Sequence, residues 1–100
     1  MPSKESLHKL KMLEEWAYIS SELPEEDHYE IYFNGGLWYI DRIRVFSEGL
    51  KDRKSFVSDF SEEEVLEKAF AILSWWIGED VTKSWSQLEL ELAIRGVGVE

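Results

Sequence analysis

The strongest constraint on this chain is the tripeptide Asn34-Gly35-Gly36, set between two runs rich in aromatic and β-branched residues, 28–33 and 37–45. A two-residue hairpin loop needs positive φ at both positions, which Asn-Gly and Gly-Gly tolerate and most residues do not. The flanking runs are therefore expected to pair as antiparallel strands. Two registers compete. A loop at Asn34-Gly35 sets Ile31 against Trp38 and His28 against Asp41, whereas a loop at Gly35-Gly36 sets Ile31 against Ile40 and Glu30 against Asp41. The second places like charges opposite one another, a modest penalty, so the first is preferred.

The rest of the chain supplies helices and one further strand. Over residues 7–23, Leu10, Leu13 and Ala17 form one apolar row and Met12, Trp16, Ile19 and Leu23 another. His8, Lys11, Glu15, Tyr18 and Glu22 form a mostly polar back, as on a helix laid against a sheet. Pro24 is expected to end it. Residues 47–54 look like a polar connection, and residues 55–60 like a short third strand. Ser61 and Glu64 then have capping-box spacing, with Phe60 and Val65 at the staple positions. The helix that follows carries Val65, Leu66, Ala69, Phe70, Ile72, Leu73, Trp76 and Ile77 on its apolar side, and Gly78 is placed to terminate it. Residues 88–95 alternate like a strand but are built from good helix formers. Ser84 with Gln87 and the later Gly96 favour a helix over 85–95. The expected fold is α+β: one domain over residues 1–100, a three-stranded antiparallel sheet packed by an N-terminal helix and one or two C-terminal helices.

Composition narrows the function. Among 100 residues, 21 are acidic and 11 basic, a formal net charge of -10. Five Trp and a 44% hydrophobic content separate the chain from disordered acidic tails, which lack apolar surface. Direct nucleic-acid binding is disfavoured, because it neutralises phosphates with clustered Lys and Arg. With no Cys, thiolate metal sites and disulfides are ruled out. The longest apolar run, 69–77, falls far short of the roughly 20 residues that span a bilayer. Anionic lipid would also repel this charge, so no membrane association is expected. The first six residues lack the apolar core of a secretory signal, so a cytoplasmic location is expected. The only histidines, His8 and His28, have no nucleophile, phosphate loop or metal-binding pattern around them, and Gly35-Gly36 reads as a turn. Neither catalysis nor a metal or cofactor is expected.

The acidic residues are clustered. Glu25, Glu26, Asp27 and Glu30 form one group, Asp59, Glu62, Glu63, Glu64 and Glu67 a second, and Glu79 with Asp80 a third. Carboxylates in a first helical turn interact well with the helix dipole. That accounts for Glu64, but not for the surplus beside it, which has only Lys68 nearby. Trp16 and Trp76 fall on core stripes. Trp75 lies 100° from Trp76 and either packs near Trp85 or stands partly exposed, while Tyr32, Tyr39 and Trp38 compete for the two hairpin faces. Half-exposed aromatics are common interface anchors. Asp59, Glu62, Glu63, Glu67, Glu79 and Asp80 are thus candidates for charge at a partner-binding surface, and Trp75 for its anchor.

The order of elements carries a resemblance. A helix, the Asn-Gly hairpin with Gly36-Leu37-Trp38-Tyr39-Ile40, a short strand, and Phe60-Ser61-Glu62-Glu63-Glu64 opening a helix resemble the small acidic immunity proteins that bacteria encode beside polymorphic or contact-dependent toxins. The likeness is one of outline and charge. It implies a toxin inhibitor whose acidic side chains meet the basic cleft of an enzyme such as a nuclease. Two alternatives remain open: a phage or mobile-element protein that mimics nucleic acid to block a host nuclease, and a non-catalytic accessory subunit, including a homodimer formed through the hairpin edge or the Trp75 face.

Overall fold

The computed structural model describes residues 2–78 and 83–98. Its elements run α1 (Lys4–Ile19), β1 (His28–Asn34), β2 (Leu37–Val45), a short turn at Ser47–Gly49, β3 (Lys51–Asp59), α2 (Glu62–Ile77) and α3 (Trp85–Ile94). The three strands form one antiparallel sheet in the order β1-β2-β3, so β2 is central and the other two are edges. Helix α1 packs on β1, α2 lies across β2 and β3 and against α1, and α3 packs on α1. The α+β expectation holds in full, with both C-terminal helices present.

Helix α1 is shorter than its apolar rows suggest. Ser3 caps its start, accepting the Ser6 N–H at 3.1 Å. It stops at Ile19, ahead of the expected end near Pro24. The Glu22 N–H reaches the Ala17 carbonyl at 2.9 Å and the Ser21 N–H the Tyr18 carbonyl at 3.2 Å. Those are the paired bonds of a Schellman ending, with Ser21 left-handed at φ 61°. Leu23 still reaches the core, because the turn folds it back beneath the helix. Helix α3 closes the same way: Gly96 is left-handed, and the Val97 N–H bonds the Leu92 carbonyl at 2.9 Å. At its start Ser84 and Gln87 complete a reciprocal capping box. The helical expectation for this segment was correct.

The hairpin turns at Gly35-Gly36, with φ 60° and 90°, so the preferred register was wrong. Ile31 faces Ile40, and Glu30 faces Asp41. The penalty for two facing carboxylates is offset by Arg53 on β3, whose Nη2 lies 2.6 Å from Glu30 Oε1 and whose Nη1 lies 3.0 Å from Asp41 Oδ2. Strand β3 begins at Lys51 rather than residue 55, which is why Arg53 is placed to do this. Its first five residues are exposed on the sheet edge and show no alternation, so their sequence reads as a loop. A register shift between Ile40 and Asp41 leaves Phe56 as an extra residue on β3, a bulge.

The two faces of the sheet differ. Tyr29, Ile31, Ile40 and Val57 pack with Leu13, Trp16, Val65 and Leu73 in the buried core between sheet and helices. Leu88 and Leu92 extend that core under α3. The other face carries Glu30, Tyr32, Tyr39, Asp41 and Arg53, none of which belongs to this core. No helix among the described residues is long and apolar enough to cross a membrane.

Candidate functional site

Helix α2 positions most of the acidic and aromatic candidates. Its core stripe, Val65, Leu66, Ala69, Phe70 and Leu73, is buried, so the opposite face must point outward. On that face Glu63, Glu67, Ala71 and Trp75 follow one another at every fourth residue, and all four are exposed. At 1.5 Å per residue the row from Glu63 to Trp75 is about 18 Å long. Trp75 is 74% exposed. An exposed indole offers a large apolar area that a partner could take out of water. Of the two placements open to Trp75, packing near Trp85 or exposure, the structure has the exposed one. Trp85 instead lies over Phe70, with ring centroids 4.4 Å apart.

The remaining candidates divide. Glu62 is tied to the beginning of α1, accepting from the Ser3 N–H and Ser3 Oγ, both at 3.2 Å, and from Ser6 Oγ. The Ser6 hydroxyl, followed by the Ser3 donors, holds its carboxyl below the usual range. Glu62 therefore joins two helix starts and is not a free contact. Glu67 is exposed, but its carboxylate accepts the Trp85 Nε1–H at 2.5 Å. Asp59 closes β3, accepting the Phe60 N–H at 2.7 Å with Lys68 Nζ 3.6 Å away. Glu63 is the candidate carboxylate that stands open. Glu79 and Asp80 lie outside the described residues.

Three local expectations are corrected here. The capping box at α2 is half formed: Ser61 Oγ accepts the Glu64 N–H at 3.0 Å, while the Glu64 side chain turns toward Asp59. The Asp59 carboxylate, by sharing a proton in a side-chain hydrogen bond and by its like charge, pushes the Glu64 carboxyl up, whereas the Phe60 N–H, ahead of Glu64 itself, pulls Asp59 down. Phe60 is 78% exposed and does not staple onto Val65, which is buried. Trp76, expected in the core, is 49% exposed. It rests on Phe56 of β3 with ring centroids 5.4 Å apart, so only one side of the indole is covered.

Some acids that looked like surface charge are structural. Asp27 is buried and accepts from Arg42 Nε and Nη2 at 3.1 and 2.9 Å. Glu14, also buried, accepts the Tyr29 N–H at 3.0 Å. Sequence reasoning had no signal for Glu14, since its partner is a backbone group. It also missed the assembly of Glu30, Tyr32, Asp41 and Arg53, because Arg53 had been assigned to a loop. His8 and His28 each sit beside one glutamate, Glu89 at 3.2 Å and Glu30 at 3.3 Å. Among the described residues no three His, Asp or Glu come together as metal ligands.

Compared with protein families, with curated proteins and with solved structures, the chain has no match.

Proposed function

We propose that the chain is a protein-binding module of the immunity or antitoxin kind, acting in the cytoplasm, which neutralises a basic enzyme such as a nuclease toxin by docking it on the outward face of α2. The observation that carries this reading is Trp75: a three-quarters exposed indole on the same outward row as Glu63 and Glu67. Negative charge beside an aromatic anchor suits a basic partner. The carboxylates speed the encounter, and a desolvated indole slows dissociation. The roles of the acidic residues are now unequal. Glu63 meets the partner first, Glu67 also holds Trp85, and Glu62 serves the fold.

The test starts from the partner recovered with the tagged full chain and measures association at low and high salt. Glu63→Lys is expected to lower the on-rate and flatten its salt dependence. Trp75→Ala is expected to raise the off-rate by about 30-fold, a central value for an aromatic hot spot of about 2 kcal/mol. Unchanged rates for both variants would move the interface away from α2. Competition by duplex DNA for the same partner would favour nucleic-acid mimicry instead.

A further inference from the structure

On the sheet face away from the helices, Arg53 occupies a site made for a guanidinium. It is half exposed and its Nη2 donates to Glu30 Oε1 at 2.6 Å. Its Nη1 donates to Asp41 Oδ2 at 3.0 Å, and its Cζ lies 5.6 Å from the centre of the Tyr32 ring. Tyr32 stacks on Tyr39, with centroids 5.3 Å apart and planes 16° apart, and its hydroxyl donates to Asp41 Oδ2 at 2.9 Å. Two carboxylates thus face one permanently charged group, with the His28 ring 3.3 Å from the other oxygen of Glu30. The count of donors is also short: Asp41 is 2% exposed, and its Oδ1 has no hydrogen-bond partner among the described residues. A buried carboxylate oxygen left without a donor is costly. Beside these groups lies a cavity of about 380 Å³ lined by Glu30, Tyr32 and Arg53.

We propose that this face is a second binding site, selective for alkyl guanidinium ligands, and that the ligand enters by displacing Arg53 from Glu30 and Asp41. The charge balance selects a cation. The planar, five-donor fork of a guanidinium fits paired carboxylates over an aromatic ring, where an ammonium offers only a point charge. The Tyr32–Tyr39 pair supplies the ring face. Arg53 is then an internal competitor: it keeps the carboxylates neutralised when the site is empty and sets a threshold that a ligand must exceed. This site is independent of the α2 face and does not rest on the function proposed for it.

The test is an NMR titration of the full chain with agmatine, putrescine and acetate; putrescine matches agmatine in charge and replaces its guanidinium by a second ammonium. Agmatine is expected to move the amide signals of Tyr32, Tyr39 and Asp41 and the Arg53 side-chain signal, putrescine more weakly, and acetate not at all. Arg53→Gln should bind agmatine about 10-fold more tightly, if the open site is populated at about a tenth in the wild type. That gain is one that misfolding cannot mimic. Asp41→Asn, with its spectrum otherwise preserved, should bind about 10-fold more weakly, as expected for losing a charged partner worth about 1.4 kcal/mol. Tighter binding of the peptide Gly-Arg-Gly amide than of agmatine would identify the natural ligand as a protein's arginine side chain; equal affinity would identify a free guanidinium compound. Acetate shifts at the same residues, no agmatine binding to either protein, or no tightening in Arg53→Gln would overturn the proposal.

Discussion

Two groups of carboxylates in this molecule have the same chemistry and opposite fates. Those at the start of α2, Glu63 and Glu64 above all, are exposed, crowded and dispensable to the core. Those around the hairpin and α1, Asp27, Asp41 and Glu14, are buried. Asp27 and Asp41 each meet a guanidinium, and Glu14 meets a backbone N–H. A negative charge taken out of water is tolerated only when donors replace the water, so the buried set must be partnered and the exposed set need not be. Net charge counts both groups alike, although only the exposed one is open to another molecule without first displacing a partner inside the protein.

The contrast is easiest to break at Asp27. Asp27→Ala leaves Arg42 without its partner and is expected to cost about 2–4 kcal/mol by urea denaturation. A loss no larger than that of a surface substitution would mean burial does not separate the two groups. Next come Glu62 and Glu64, two residues apart and shifted in opposite directions. Glu62 is depressed in the folded state, so its stabilisation is present above the ordinary carboxylate pKa and is lost as pH falls through the depressed value. Glu62→Gln should cost about 1 kcal/mol at neutral pH, the scale of one hydrogen bond, and that cost should disappear in acid. Glu64 is raised, so its contribution is present in acid and is lost as pH rises through the raised value. Glu64→Gln should therefore be slightly stabilising at neutral pH, with the gain vanishing on acidification. Thermal melts across the acid range would show whether the two curves cross. The smallest effect belongs to Glu63→Ala, expected to stay within about 0.5 kcal/mol of wild type; a larger loss would mean that Glu63 also serves the fold.

What could be read from the sequence followed from locality. The hairpin was visible because Gly35-Gly36 announces itself within three residues, and α3 because Ser84, Gln87 and Gly96 bracket ten. Glu63, Glu67 and Trp75 were visible one by one, as surplus acid and surplus aromatic, but their shared outward row on α2 was not read from the sequence. The register was not visible, since its deciding group, Arg53, lies more than ten residues beyond the turn on a strand that lacks alternation. Glu62 was read as surface charge because its donors, Ser3 and Ser6, come from the opposite end of the chain. Trp76 was misplaced for a related reason: helical period gives a side chain's direction but not how much of it the opposing surface covers.

A three-stranded sheet has two open edges, and each is a template on which another copy of the chain could add a strand. On β1, the outward Tyr29 N–H is already taken by Glu14 from α1. On β3, the edge opens with Lys51, Asp52, Arg53 and Lys54, all exposed, so a copy added in parallel register would set like charges side by side. The stretch that sequence patterning failed to recognise as a strand thus carries at its edge the charged side chains that sheet proteins use against the addition of a further strand.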